Sequence, residues 1–497
     1  MNMSTHGVDG IPSIVVDLCW LPDGINIGQW REQVLAAEGE HYLLRSPVLD
    51  ADQVRGIQLA ITAARNEHIH EMTVERLVDW IDQAVCRWLD PAYPLRQLAE
   101  RLLPVVTGYH AEMIRLELKR YMRNFRRKEL WRFLEEELDP PAMLDGFHPR
   151  RSGGMSRAYG PELIFHVFAG NVPGVQLWSL VMGILVKSAN FGKTSAAEPL
   201  LPVLFSRTLA EVNPAWARLL AVLPWKGGSE ELERAAAGAA EAVVVYGSDH
   251  TVRSIEALLP PHARLLRYGH RISLAVIGAE ALRPDLYVRT VRRLAEDIAL
   301  YDQQSCMSPQ AVFVESGGSV DARSLGRLLA AELERLERRW PRAELDPEEA
   351  ASIRKIREQY ELRALASDEA GLQVLASEGS TAWTVIIHDM PGLQGSPLNR
   401  TIHIYNIDRL EDTPPLLAPL RPYLQSCGTA VAPSRLQPLA SLLGAAGVTR
   451  ISAIGDMTRA APGWHHDGRF NLLDLLRFVD IEAGAEQDAE FYDPDVE

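Results

Sequence analysis

Cys306 stands in LYDQQSCMSPQ, residues 300–310, between an amphipathic segment and the apolar run AVFVE. A thiol attacks only as thiolate, and a polar loop at a helix-to-strand junction offers backbone donors that stabilise that form. A free cysteine is also among the most buried residue types, so the local pattern leaves two readings open, a packed thiol or a nucleophile. In AGNVPG, residues 169–174, Asn171 occupies a turn between a strand and a helix. Its amide and the neighbouring N–H groups can face developing negative charge there, although turn geometry alone also favours asparagine. VVVYGSDHT sets Gly247 and Ser248 at a strand-to-helix junction, which suits the close approach of a pyrophosphate and equally suits a plain N-cap. GWHHDGR, residues 463–469, brings His465, His466 and Asp467 together. Adjacent histidines on a glycine-bounded loop rarely point the same way and no second ligand group is evident, so no metal is expected, while a ligand-facing loop stays open. Neither GxGxxG after a strand nor a GxxxxGK(S/T) loop occurs.

These residues need elements to position them. With 497 residues the chain is long enough for about three domains or subdomains, and 47% apolar with 24% charged residues is a globular composition. The net charge of −15 argues against nucleic acid and anionic membrane as electrostatic partners. VQLWSLVMGILV, residues 175–186, is shorter than the ~20 residues that span a bilayer and reads as a buried helix. No basic segment leads into an apolar one at the N-terminus, so a cytoplasmic location is expected. Cys19, Cys86, Cys306 and Cys427 are scattered without a CxxC pair, which disfavours a disulfide framework and a zinc site.

The first 145 residues read as mainly helical, from the 3.6 period of VERLVDWIDQAVCRWL and HAEMIRLELKRYMRNFRRKELWRFLEEEL. A Pro- and Gly-rich stretch over 139–161 ends that region. Strands then alternate with helices: LIFHVFA, the turn GNVPG, a helix over 175–188, ANFGK, EAVVVYGS, RLLRYG and ISLAVIG. That alternation predicts an α/β fold with a doubly wound parallel sheet and ligands at the carboxyl ends of its strands. A second unit starts with the helix YVRTVRRLAEDIALY and continues through the Cys306 loop, AVFVE, TAWTVIIHDM, RTIHIYNI and TAVAP to about residue 457. Residues 338–371 read as a charged helical insertion on the surface.

From about residue 160 onward, HVFAGNVPG, LVKSANFGKTSAAEPLLP, VVVYGSDHT, RYGHR, QQSCMSPQ and GWHHDGR follow one another in an order that resembles the aldehyde dehydrogenase superfamily. Within it, the chain resembles the LuxC-type fatty acyl reductases, which make long-chain aldehyde from acyl thioesters; the first 145 residues contribute little to the likeness. The resemblance implies an aldehyde dehydrogenase-like architecture. A helical region over 1–145 would accompany a cofactor domain over 146–280, with an oligomerisation hairpin at 147–163. A catalytic domain would occupy 281–457, and a segment over 458–497 would return to the cofactor and oligomerisation regions through LLRFVDIE. Cys306 matches the nucleophile and Gln304 the glutamine of the GQxC element. Asn171 matches the oxyanion amide, Lys193 the lysine on the adenosine ribose with Ser195 beside it, and Gly247 and Ser248 the pair next to the cofactor phosphates. Gln304 and His466 are further candidates for a substrate or cofactor loop.

Two departures shape the implied chemistry. Ala196 replaces the glutamate that would repel a 2′-phosphate, which favours NADPH with NADH still admitted. Arg267 stands where hydrolytic members carry a general-base glutamate, and an arginine stays protonated. Thiolate exchange on a thioester needs no such base. The implied activity is NADPH-dependent reduction of a long-chain acyl thioester, carried by CoA, a carrier or a protein, through a thioacyl-Cys306. An acyl-protein synthetase partner and a dimer or tetramer would accompany it. A CoA-acylating aldehyde dehydrogenase acting on shorter chains with NAD, and a non-catalytic acyl-binding scaffold subunit, are the alternatives.

Overall fold

The computed structural model describes residues 5–8, 11–366, 371–493 and 495. Five parallel strands form the first large sheet, in the order Arg264–Tyr268, Ala242–Tyr246, Leu163–Val167, Ala189–Thr194, Leu220–Pro224. LIFHV and AVVVY are buried at every position, as strands covered on both faces must be. Alternate residues serve the two faces. Phe165, Phe191, Val243 and Val245 pack with the helices Ala51–His68 and Glu230–Gly238. Ile164, Leu220 and Val244 join the larger core with the helices Val175–Leu185 and Leu201–Val212. The chain reverses direction across the sheet between Leu163–Val167 and Ala242–Tyr246, and such a switch point opens a crevice at the carboxyl ends of the strands.

The second large sheet has seven strands, ordered Gln373–Ala376, Thr384–His388, Thr401–Ile407, Pro309–Glu315, Ile272–Ile277, Leu424–Ala430, Arg450–Ala453. All pairs are parallel except the first, which is antiparallel. A small sheet pairs Arg477–Ile481 with Met155–Tyr159 and then His148–Pro149.

Two sequence expectations change. Helices do fill Ala51–Glu137, but before them Thr5–Val8, Ile11–Asp17, Glu40–Pro47 and Trp30–Ala37 form a four-stranded sheet. WREQVLAA carries no clear period-2 alternation. The strands Trp30–Ala37 and Glu40–Pro47 are instead joined by Glu38 and Gly39, at φ 50° and 82°, a two-residue hairpin that a composition scan does not reveal. The region 338–371 is also more than a surface insertion. In the helix Pro347–Ala366, Ile353 and Tyr360 are buried, and Arg357 donates to Thr384 Oγ1 at 2.8 Å and to the Trp383 carbonyl at 2.8 Å.

The start of that region holds the backbone that leads to Cys306. Tyr301, Asp302 and Gln303 have φ of 50°, 51° and 67°, and Leu398, Asn399 and Arg400 have 61°, 53° and 60°. L-residues in this region cost roughly 1–2 kcal/mol each, so two such triplets persist only where other contacts fix them. Arg400 is fully buried and reaches Asp302 Oδ1 through Nε at 2.9 Å and Nη2 at 2.7 Å, Glu337 Oε2 through Nη1 at 2.7 Å, and the Trp340 carbonyl at 2.8 Å. Asp302 Oδ2 accepts from Ala343 N at 3.0 Å. Gln303 donates to the carbonyls of Pro309 at 2.7 Å and Thr401 at 2.9 Å and accepts from Thr401 N at 2.8 Å, while Gln304 Nε2 donates to Asn399 Oδ1 at 2.9 Å. The two left-handed triplets therefore lock each other.

Removing one partner of a buried ion pair leaves the other charged and desolvated. Arg400→Met is expected to lower unfolding stability by about 3–5 kcal/mol in urea titration, the usual cost of breaking such a pair. A loss below about 1 kcal/mol, the scale of an exposed pair, would show that the guanidinium does not hold this loop.

Candidate active site

A cavity of about 2220 Å³ opens along the carboxyl ends of the five-stranded sheet and reaches the Cys306 loop. Residues of both large sheets contribute to its wall. Lys193 comes from the end of Ala189–Thr194 and lies largely buried, with Nζ 3.6 Å from Glu233 Oε1 and 5.9 Å from the Trp225 ring. Burial pulls its ammonium below the usual lysine range, and Glu233 opposes that shift. Glu233 is 40 positions away in the chain, and nothing in the sequence couples it to Lys193. Ser195 lies in the next turn, its Oγ accepting from Ala197 N at 3.2 Å. A Cβ on Gly170 would come within 2.6 Å of that oxygen, so the Asn171 turn can lie against the Ser195 turn only because residue 170 is glycine.

Gly247 N donates to the Tyr268 carbonyl at 3.2 Å, and Ser248 caps the helix Asp249–Glu256 by accepting from Thr251 N at 3.3 Å. The N-cap reading of Ser248 is thus realised, and both residues also line the cavity. Asn171 extends across the crevice: Nδ2 donates to the Gln304 carbonyl at 2.7 Å, and its own carbonyl accepts from Tyr109 Oη at 2.6 Å. The structure brings Asn171, Gln304 and Cys306 together, with Lys193, Ser195, Gly247 and Ser248 along the adjoining arm.

Cys306 is half-buried, its carbonyl accepting from Ser273 Oγ at 2.7 Å. Burial, with the charge of Asp467, pushes its thiol up to about 11, while a hydrogen bond from Gln425 and the charges of Arg271 and Arg450 pull the other way. Asp467 belongs to the GWHHDGR loop and is itself held, Oδ2 by Arg271 Nε and Nη2 at 2.8 Å each and Oδ1 by Gln425 Nε2 at 2.6 Å. The two histidines beside it diverge. His465 meets Phe470 edge-on, and His466 stacks on Tyr268 at 4.2 Å, where burial lowers it to about 4 and keeps it neutral at pH 7.

Arg267 lies elsewhere than its motif position implies. On Arg264–Tyr268 it is exposed and pairs with Glu256, while its neighbour Tyr268 turns into the cavity. Strand alternation sends adjacent side chains to opposite faces, so Arg267 is not the group across from the thiol. The carboxylate beside Cys306 is Asp467, a residue noted in the sequence only for its histidine neighbours. Arg271 was visible there within RYGHR, but Gln425 and Arg450 carried no signal.

The Asp467 charge opposes ionisation of Cys306, so its removal lowers the thiol pKa and enlarges the thiolate fraction at a fixed pH below it. With a thiol near 11, alkylation of Cys306 by iodoacetamide, read by peptide mass, is expected to rise about tenfold per pH unit from 7 to 10. Asp467→Asn is expected to react severalfold faster at pH 8. An equal or slower rate would remove Asp467 from the electrostatics of the thiol.

Residues 69–478 match the profile of the family described as acyl-CoA reductase (LuxC). The chain is 25% identical over 416 residues to the long-chain acyl-protein thioester reductase of Aliivibrio fischeri, covering 83% of each chain. It is 24% identical over 424 residues to that of Vibrio harveyi, covering 84% of each. Among solved structures it is similar to aldehyde dehydrogenase 21 of Physcomitrella patens, with TM-score 0.67, 13% identity and coverage of 93% of this chain and 96% of that one. It is also similar to the NADP-dependent glyceraldehyde-3-phosphate dehydrogenase of Bacillus halodurans, with TM-score 0.66, 13% identity and coverage of 92% and 96%. The chain therefore has the aldehyde dehydrogenase fold and belongs to the acyl-CoA reductase (LuxC) family.

Proposed function

We infer that the protein reduces a long-chain fatty acyl thioester to the fatty aldehyde with NADPH, through a thioacyl-Cys306 intermediate. The observation that carries this reading is the meeting of a half-buried thiol with the Asn171 amide in one cavity whose wall also carries Lys193, Ser195 and Ser248. The named activity of the relatives, reduction of long-chain acyl-protein thioesters, supports it. Tyr121, Phe133, Val172, Trp178, Met182 and Ala461 provide the apolar wall an acyl chain would lie on.

The Cys306 sulfur, its proton lost to solvent, attacks the thioester carbon and expels the donor thiol. Negative charge develops on the acyl oxygen, where the Asn171 amide is the side-chain donor at hand; loss of one such donor typically costs ~2.7–4 kcal/mol. The residues on the crevice wall fit a dinucleotide: Lys193, Ser195 and Ser248 would hold the ribose and phosphates, and Gly170 and Gly247 let the turns that carry Ser195 and Ser248 pack closely. When bound there, a reduced nicotinamide supplies the hydride for the acyl carbon. Cys306 then leaves as thiolate when the thiohemiacetal collapses, with Gln425, Arg271 and Arg450 favouring the charged sulfur.

NADPH is favoured by what lines the adenosine end. Ala196 offers no carboxylate, and exposed Lys226 has no ion-pair partner among the described residues. Glu233 lies behind Lys193 rather than on the cavity wall. The donor in this reading is an acyl-CoA or an acyl-protein, the latter loaded by a synthetase. Copies of the chain would associate through the sheet edge at Arg477–Ile481, where Phe478 is 43% exposed.

Incubation with tetradecanoyl-CoA and no cofactor should add one acyl mass to the intact protein at Cys306, and Cys306→Ala should add none. Aldehyde production at the wild-type rate by Cys306→Ala would overturn the assignment, and a preference for butanoyl-CoA with NADH would favour a CoA-acylating dehydrogenase. For the cofactor, Lys226→Glu is expected to raise the KM for NADPH about tenfold through loss of a charge-assisted contact to the 2′-phosphate, leaving that for NADH little changed. Equal effects on both cofactors would place Lys226 away from that phosphate.

A further inference from the structure

The chain carries a net charge of −15, yet residues 115–132 hold eight basic residues against two acidic ones. They occupy the end of the helix Ala111–Arg123 and the start of the helix Arg127–Glu137. Arg126, Arg127 and Lys128 at the N-terminus of the second helix oppose its dipole, which prefers anions there by about 0.3–1 kcal/mol each. Ion pairs with Asp82, Glu75 and Asp79 account for Arg126 and Arg127, which leaves Lys128 as the opposed charge without such a pair among the described residues.

The cluster borders a niche of about 610 Å³ lined by Arg123, Arg126, Arg127, Lys128, Glu129 and Trp131. Arg123 and Glu129 also line the large cavity that contains Cys306, so the niche adjoins its rim. Helix Ala111–Arg123 links the two: Tyr121 is half-buried within the field of Cys306, while Arg120 and Arg123 are exposed on the same turn. Much of the local charge is already matched. Arg126 pairs with Asp82 at 2.5 Å, Arg127 with Glu75 and Asp79, Arg120 with Glu117 at 2.5 Å, and Glu129 with Arg132 at 2.9 Å. Arg123 and Lys128 are exposed and have no ion-pair partner among the described residues. Lys193 and Ser248, read above as holding the cofactor, line the large cavity but not this niche, so the niche is a second cationic place.

We propose that Arg123 and Lys128, backed by Arg126, bind the phosphate groups of a phosphopantetheine-bearing acyl donor while its thioester reaches Cys306 along the Tyr121 side of the cavity. This rests on the thioester-reductase reading. The shared chemistry is a phosphate ester at the end of a thiol arm, present in acyl-CoA and in an acyl carrier protein. Guanidinium and ammonium groups bind such phosphates through charge-assisted hydrogen bonds.

The test compares tetradecanoyl-CoA with tetradecanoyl-pantetheine, which has the same thioester and no phosphate, in full-length protein with saturating NADPH. For the double variant Arg123→Glu and Lys128→Glu, the KM for tetradecanoyl-CoA is expected to rise at least about tenfold with kcat unchanged, as for loss of binding common to ground and transition states. The kinetics with tetradecanoyl-pantetheine and the KM for NADPH should not change, which also shows that the variant is folded. Tetradecanoyl carrier protein, run in parallel, locates the phosphate: a matching rise assigns the phosphodiester of the arm, and a rise confined to CoA assigns its nucleotide end. An equal rise with the pantetheine substrate, or none with CoA, overturns the proposal. If the wild type makes no aldehyde from either thioester, the underlying reductase reading fails instead.

Discussion

The ion pair between Arg400 and Asp302 is the constraint on which the site depends. It is fully buried, and its worth does not lie in stability, since desolvation of two charges roughly offsets their attraction. What it fixes is a geometry that the chain avoids by itself. Six L-residues in two facing triplets carry left-handed φ, at a local cost of several kcal/mol in total by the usual ~1–2 kcal/mol per residue. With the glutamine bonds of Gln303 and Gln304, the pair converts that cost into one position for the loop that presents Cys306. Asn171, arriving from the other domain, then takes the Gln304 carbonyl as its reference point. The Cys306 thiol and the Asn171 amide are thereby referred to the same short stretch of backbone, and misplacement of reacting groups by about 1 Å can cost on the order of a hundredfold in rate.

How much of this the sequence disclosed follows from how local each feature is. Buried parallel strands read as unbroken apolar runs, so LIFHV, AVVVY and ISLAVI were legible as strands, and Gly247 and Ser248 just beyond AVVVY came with them, whereas Lys193 on ANFGKT came only through the family resemblance. Cys306 and Asn171 were legible as candidates because each lies in a loop with a recognisable motif. The left-handed triplets were not, because YDQ and LNR contain no glycine to mark them, although Asp302 and Asn399 belong to residue types that tolerate the region. Tertiary bonds impose that conformation. Glu233 beneath Lys193 and Gln425 beside Asp467 are through-space neighbours with no local sequence signature. Arg267 shows a different limit: a motif gives a position in the chain, whereas strand parity decides which way the side chain points. Here it sends Arg267 to the surface and Tyr268 to the cavity.

The correction at Arg267 alters the reason a thioester is favoured over an aldehyde, without altering the reaction proposed. A carboxylate does stand near the thiol, but both oxygens of Asp467 are occupied, one by Gln425 and the other by Arg271. His466, held neutral by burial against Tyr268 and titrating near 4, is a weak proton acceptor at pH 7. Neither of these two groups beside the thiol is thus free to act as a base that ionises water, and the structural reason differs from the one that the motif suggested: both are committed to packing and ion pairing. Hydrolysis of a thioacyl enzyme depends on such a base, and exchange between thiols does not.

The raised thiol of Cys306 fits that division of labour when the magnitudes are followed. Relative to an ordinary cysteine near 8.5, a thiol near 11 has roughly 300-fold less thiolate at pH 7, while a Brønsted coefficient of about 0.4–0.5 returns about tenfold in intrinsic nucleophilicity. The net handicap of roughly 30-fold is small beside the effective molarities of 10⁵ M or more, on the order of those reached by well-oriented reactants. A basic thiolate is also a poor leaving group, so in the proposed reaction water would displace it slowly from a thioacyl enzyme. That basicity would equally slow its departure from the thiohemiacetal. The Gln425 hydrogen bond and the charges of Arg271 and Arg450 are already counted in that value, which burial and Asp467 alone would set higher. In the proposed reaction the basic sulfur thus slows its own release to water, while orientation at the site offsets its handicap in attack.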